Sequence, residues 1–150
     1  RNDQKMVIVD PKGKNYGKYR GATMLTPNRF EVAEVYQLDD FGQSAMERAG
    51  IKMIGDFDLE AMLITQGEAG MTLFEKNGRI NHLPVTARTV YDVTGAGDTV
   101  IACLATAVGA GVDLPEAAQF ANIAAGLVVR QVGTTAITTK MLEDARRDVE

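Results

Sequence analysis

The stretch Thr89-Val90-Tyr91-Asp92-Val93-Thr94-Gly95-Ala96-Gly97-Asp98, continued by the apolar run Thr99 to Val108, decides how this chain is read. Thr89-Val90-Tyr91 is β-branched and aromatic and predicts a short strand entering a turn. The run from Thr99 predicts a helix stopped by Gly109-Ala110-Gly111. The glycine turn between them therefore feeds a helix. Gly95 and Gly97 can take positive φ and let a ligand approach the backbone closely. The first N–H groups of the helix have no intrahelical partner, so turn and helix start together form a candidate anion site. Asp98 falls in the first helical turn, where the macrodipole favours a negative charge, and is a candidate general base for a nearby hydroxyl. The same residues also serve as a plain tight turn with a favourable first-turn acid. Two other phosphate loops are excluded: Gly97 is followed by Asp98-Thr99 rather than Lys-Ser/Thr, and position 100 is Val where a dinucleotide fingerprint needs its third glycine.

Moving outward, the chain alternates strands and helices. Short strands are predicted at 6–9, 22–25 and 61–65, and helices at 29–36 and 43–54, the latter despite Gly50, which costs about 1 kcal/mol relative to Ala. Segments 71–74 and 79–83 flank Asn77-Gly78, a strong hairpin signal. Asp113-Leu114-Pro115-Glu116 opens a helix to about Val129, with Ala117, Phe120, Ala121, Ala124 and Val128 facing inward. A last helix is predicted over about 140–149. This alternation is that of an α/β sandwich.

Composition sets bounds. With 45% hydrophobic and 24% charged residues, 150 residues suffice for one ordinary globular domain, and a net charge of −4 gives no electrostatic case for nucleic acid. No apolar run reaches the roughly 18 residues of a membrane span. The single cysteine, Cys103, rules out an internal disulfide and reads as a structural thiol among apolar neighbours. His82 has no second histidine or nearby cysteine to complete a metal site. The expectations are a cytoplasmic protein with small-molecule partners, no nucleic acid and no membrane.

Lys12, Lys14, Lys18 and Arg20 place four cations in nine residues, either a solvated loop or a phosphate clamp. Lys12 is the preferred clamp residue because it follows the strand end Val9-Asp10, where open α/β sheets gather ligands. Glu31 is either a first-turn helix acid or a water-mediated Mg²⁺ ligand, since Mg²⁺ keeps several waters and takes only one or two carboxylates.

Three motifs in order, Asn28-Arg29-Phe30-Glu31, Thr65-Gln66-Gly67-Glu68-Ala69-Gly70 and Asp92-Val93-Thr94-Gly95-Ala96-Gly97-Asp98, resemble the signatures of the ribokinase-like (PfkB) sugar and nucleoside kinases. The resemblance implies a three-layer α/β/α sandwich with ATP and Mg²⁺ as cofactors and a sugar phosphate as partner, and it admits a homo-oligomer. It implies that Asp98 is the base and that the amides of Gly95, Ala96 and Gly97 stabilise the transferring phosphoryl group. It places Asn28, Arg29, Phe30 and Glu31 near a metal-bound triphosphate, Thr65, Gly67 and Gly70 beside the nucleotide, and Asn122 with the small residues after it beside the adenine. Within the family, Val9 to Gly13, Tyr19 to Thr23 and Leu25 to Asn28 are most similar to the heptose-7-phosphate kinases of bifunctional lipopolysaccharide enzymes. That implies phosphorylation of the anomeric hydroxyl to a 1,7-bisphosphate. Residues 1–150 are expected to be the C-terminal, nucleotide-binding portion of such a kinase domain. Another sugar specificity, or a nucleotide-binding module without catalysis, are the competing readings.

Overall fold

A computed structural model describes residues 5–86 and 89–147. The chain forms two compact units, Arg1–Leu83 and Pro84–Glu150.

The first unit is built on a five-stranded sheet in the order β1-β2-β3-β4-β5, with β1 at Ile8–Val9, β2 at Met24–Leu25, β3 at Ala61–Thr65, β4 at Met71–Glu75 and β5 at Ile80–Leu83. The pairs β1–β2 and β2–β3 are parallel, and β3–β4 and β4–β5 are antiparallel. Parallel pairing needs a crossover, and between β2 and β3 it carries α1 (Arg29–Tyr36) and α2 (Gln43–Asp56). The antiparallel hairpin turns at Asn77-Gly78, as its sequence predicts, with Gly78 at φ 88°. β1 and β2 are shorter than expected, because Val7 already feeds the irregular segment before β2: its carbonyl accepts from Thr23 and Met24 N–H, and its N–H donates to Thr23 Oγ1 at 2.9 Å.

The core of this unit gathers Leu25, Val32, Met46, Met53, Leu59, Met62, Ile64 and Phe74. Gly50 explains itself here. A Cβ at that position would lie 2.5 Å from Phe74 Cζ, so the missing side chain admits the aromatic ring against α2. Tyr16 is also buried, and its hydroxyl has no hydrogen-bond partner among the described residues.

In the second unit, α3 (Ala96–Gly109) packs against α4 (Leu114–Val128), and α5 (Thr139–Arg147) packs against α4. Asp113 caps α4, its side chain accepting from Glu116 N–H, with Pro115 in the first turn. Ala117, Ala121, Ala124 and Val128 are buried as expected, whereas Phe120 is only half-buried. Cys103 is buried within α3, and burial pushes its thiol up. Positions 148 and 149 of the predicted last helix lie outside the described residues. The expected strand at 89–91 is absent. Tyr91 and Asp92 N–H both donate to Val129 O, at 2.8 and 3.2 Å, so the end of α4 supplies the acceptor that a neighbouring strand would have offered.

Candidate functional site

In the first unit two of the three sequence motifs, Asn28–Glu31 and Thr65–Gly70, meet Lys12 at the carboxyl ends of β1, β2 and β3. Asn28 caps α1: its side-chain oxygen accepts from the N–H groups of Phe30 and Glu31, each at 2.9 Å, and Glu31 Oε2 accepts from Asn28 N–H at 2.8 Å. This reciprocal capping box satisfies N–H groups that a helix start otherwise leaves orphaned. It also fixes the rotamer of Glu31 and turns its second oxygen, Oε1, to Lys12 Nζ at 2.9 Å. The same ammonium lies 3.1 Å from Asp10 Oδ2. Glu31 foremost, then Asp10, hold the Lys12 ammonium above its ordinary pKa.

A parallel bridge joins Asn28 to Thr65, and Thr65 N–H donates to Pro27 O at 3.0 Å, which brings the Asn28–Glu31 cap against the Thr65–Gly70 turn. Gln66 N–H closes that turn on Gly70 O at 2.8 Å, with Gly67 and Gly70 both at positive φ. Arg29 reaches across to Glu68, 3.5 Å from its Oε1. Phe30 is exposed and lies against Phe41, the rings tilted by 56° with centroids 5.3 Å apart. Lys12, Asn28, Arg29, Glu31, Thr65 and Gly67 therefore form one neighbourhood.

The rest of the basic loop does not make a clamp. Lys14 pairs with Glu34, Lys18 Nζ donates to Lys12 O, and Arg20 donates to Asp56 O, so each cation already has a protein partner. The solvated-loop alternative describes these three, and only Lys12 is aimed at Glu31.

In the second unit, Gly95 is the N-cap of α3 in the left-handed region, φ 79° and ψ 1°. This conformation favours glycine, and it turns the chain so that the helix starts at once. Ala96 N–H donates to Val93 O at 3.2 Å, which makes Ala96 the exception in the expected amide trio. The N–H groups of Gly95, Gly97 and Asp98 have no acceptor among the described residues. Asp98 is exposed in the first turn of α3, on the third helical residue. Thr99 turns inward instead, donating through both N–H and Oγ1 to Gly95 O, at 2.9 and 3.0 Å.

Asp92 is a residue whose role sequence reasoning missed. Its carboxylate accepts from Thr94 N–H at 2.9 Å and Gly133 N–H at 3.1 Å, clasping the glycine turn to the segment after α4. Bonds from the Thr94 side chain and N–H, then from Gly133 N–H, hold its carboxyl below the usual carboxylate range. The spacing Asp-x-Thr was a legible Asx-turn signal, whereas Gly133 was too distant in sequence to foresee. Asn122 is buried in α4, and its Nδ2 donates to Pro84 O at 2.8 Å.

Among the described residues no helix is long and apolar enough to cross a membrane, and no group of three or more metal-ligating side chains is present. Known structures share the scaffold. The Thermotoga maritima ribokinase superposes with a TM-score of 0.84 at 27% identity, over 96% of this chain and 50% of that one. Phosphofructokinase-2 from Escherichia coli gives 0.84 at 14% identity over 96% and 47%. The fold is therefore the ribokinase-like α/β class. More particularly, the pfkB family carbohydrate kinase model matches residues 1–141, and the chain belongs to that family. It is 53% identical over 139 residues to Bifunctional protein HldE of Halorhodospira halophila and 51% identical over 139 residues to that of Actinobacillus succinogenes. Each match covers 93% of this chain and 29% of the relative, so the chain spans under a third of the length of these curated relatives.

Proposed function

We propose that this chain is the nucleotide-binding and base-bearing portion of an ATP-dependent sugar kinase, acting on the anomeric hydroxyl of a heptose 7-phosphate to give the 1,7-bisphosphate. The carrying observation is the start of α3, where Gly95 lies in the left-handed region and the amides of Gly95, Gly97 and Asp98 have no acceptor among the described residues, next to the exposed Asp98 carboxylate. Phosphoryl transfer asks little covalent work of the protein, so positioning and charge stabilisation dominate. Asp98 takes the proton of the acceptor hydroxyl as its oxygen attacks the γ-phosphorus. The free amides stabilise charge on the equatorial oxygens, each well-placed donor being worth about 3 kcal/mol; Ala96 joins them only by giving up Val93 O.

Thr65, Gly67 and Gly70 shape the turn offered to the nucleotide, with Gly67, Glu68 and Ala69 exposed, Thr65 half-buried and Gly70 buried, and Asn28, Arg29 and Phe30 border the triphosphate. The chemistry around Glu31 suits a cation, since an ammonium already lies 2.9 Å from Oε1 and Asp10 faces it from the other side. Mg²⁺, when bound, supplies charge neutralisation at the β- and γ-oxygens, and Glu31 would hold it through water. Lys12, paired with Glu31 and Asp10, is the cation of this group that would meet a phosphate. Asn122 is assigned to the adenine border, with its amide steadied by Pro84 O. The heptose assignment draws on the similarity to the HldE proteins. The compartment proposed is the cytoplasm.

The test is Asp98→Asn in the whole protein, with ADP release measured at saturating ATP and sugar. Turnover is expected to fall by about 10²–10⁴, the usual contribution of a general base. A fall of less than about tenfold removes Asp98 from that role. Replacing heptose 7-phosphate by ribose or fructose in the same assay tests the sugar assignment, which fails if either is the better substrate by kcat/KM.

A further inference from the structure

We propose that a chain of hydrogen-bonded side chains, Glu47–Gln43–Gln66–Thr72–His82, positions the Thr65–Gly70 turn for nucleotide, with Thr72 as its junction. This rests on the reading of that turn as a nucleotide contact.

Thr72 interrupts the apolar run of β4 and is completely buried, and Gln66 is 1% exposed although it belongs to a turn. Strand register sets Thr72 opposite Ile64 on β3 and His82 on β5. Thr72 Oγ1 donates to Gln66 Oε1 at 2.6 Å, and Gln66 Nε2 donates to Gln43 Oε1 at 3.0 Å. Gln43 Nε2 in turn donates to Glu47 Oε1 at 2.8 Å and to Thr72 Oγ1 at 3.3 Å. A hydroxyl has one proton to give. With that proton on Gln66, the 3.0 Å contact between Thr72 Oγ1 and His82 Nδ1 requires the imidazole to donate through Nδ1. Directions are thus consistent from end to end.

The network ties the first turn of α2, β4 and β5 to a single side chain, that of Gln66. Gln66 is also the residue whose N–H closes the turn on Gly70 O, while Gly67, Glu68 and Ala69 stay exposed. The turn is held from behind and offered in front. A loop that must present its backbone to a ligand gains from such pre-organisation, because ordering it at the moment of binding costs affinity. A half-satisfied buried network is worse than none, so the role of Thr72 is separable from its shape.

Thr72→Val keeps the volume and removes the hydroxyl, stripping Gln66 Oε1 of its donor, and Thr72→Ser keeps the hydroxyl. Both are compared with the unsubstituted whole protein by calorimetric titration with ATP and by steady-state kinetics, below the melting temperature of each. Thr72→Val should raise the ATP Kd and KM by about fivefold or more, as the loss of a net hydrogen bond implies. The sugar KM should stay within about twofold, and Thr72→Ser should restore ATP binding to within about twofold. Unchanged ATP Kd in Thr72→Val refutes the positioning role while leaving the nucleotide reading intact. An equal loss for ATP and sugar, or no rescue by Ser, reduces Thr72 to general stability and refutes it too. Failure of the unsubstituted protein to bind ATP refutes the nucleotide reading itself, and the inference with it.

Discussion

Replacing Gly50 by Ala sets two forces against each other inside α2. Helix propensity favours Ala by about 1 kcal/mol. The new methyl would sit 2.5 Å from Phe74 Cζ and 2.7 Å from both Cε atoms, so the ring must withdraw by roughly 1 Å to regain ordinary contact. It has nowhere to go, since Phe74 is 1% exposed and shares its cluster with Met46, Met53, Leu59 and Met62. Overpacking of this kind costs about 1–3 kcal/mol, and with three ring atoms in collision the upper half of that range applies. The net expectation is a loss of about 1–2 kcal/mol. Urea denaturation followed by far-ultraviolet circular dichroism measures it as a lower midpoint at unchanged slope. Phe74→Leu removes the colliding atoms, so the double substitution should be less destabilising than the sum of the single ones by about 1 kcal/mol. A Gly50→Ala protein as stable as the parent, or strict additivity in the cycle, would show that the ring does not depend on the absent side chain.

Two further outcomes follow from caps and clasps. Asn28→Ala removes the acceptor for two N–H groups and should cost about 1 kcal/mol in the same denaturation; no change in midpoint would mean that solvent replaces the cap without loss. Asp92 has a depressed pKa when folded, so its contribution is present above the ordinary carboxylate value of about 4 and lost as pH falls through the lower folded value. Amide exchange at Gly133 and Thr94 should therefore quicken in acid beyond its intrinsic pH dependence, with no such step in Asp92→Asn. A protection profile identical in the two proteins rejects the clasp.

Local signals were legible in the sequence and non-local ones were not. The helix predicted over 29–36 and the one opened by Asp113 with Pro115 begin where the structure places them, at Arg29 and Leu114. Asn77-Gly78 announced its hairpin. Thr89 to Tyr91 misled because β-branched residues suit any extended segment, and whether one becomes a strand depends on a neighbour: here that neighbour is Val129 O at the end of α4. Gly50 read as a propensity cost until Phe74, 24 positions on, supplied its reason. The Thr72 network was hidden because it exists only through strand register, which brings His82 opposite Thr72. The glycine motifs and the caps, by contrast, are short-range chemistry and could be read directly.

The two oxygens of Glu31 carry a consequence for interpreting inactive alleles. One is spent on the helix start and the other faces a cation, so a single substitution there withdraws a structural bond and a charge together. Loss of growth or turnover in a Glu31→Ala strain is therefore ambiguous between a damaged scaffold and damaged chemistry. Glutamine at that position separates the two, since its amide oxygen still accepts from Asn28 while the charge is gone.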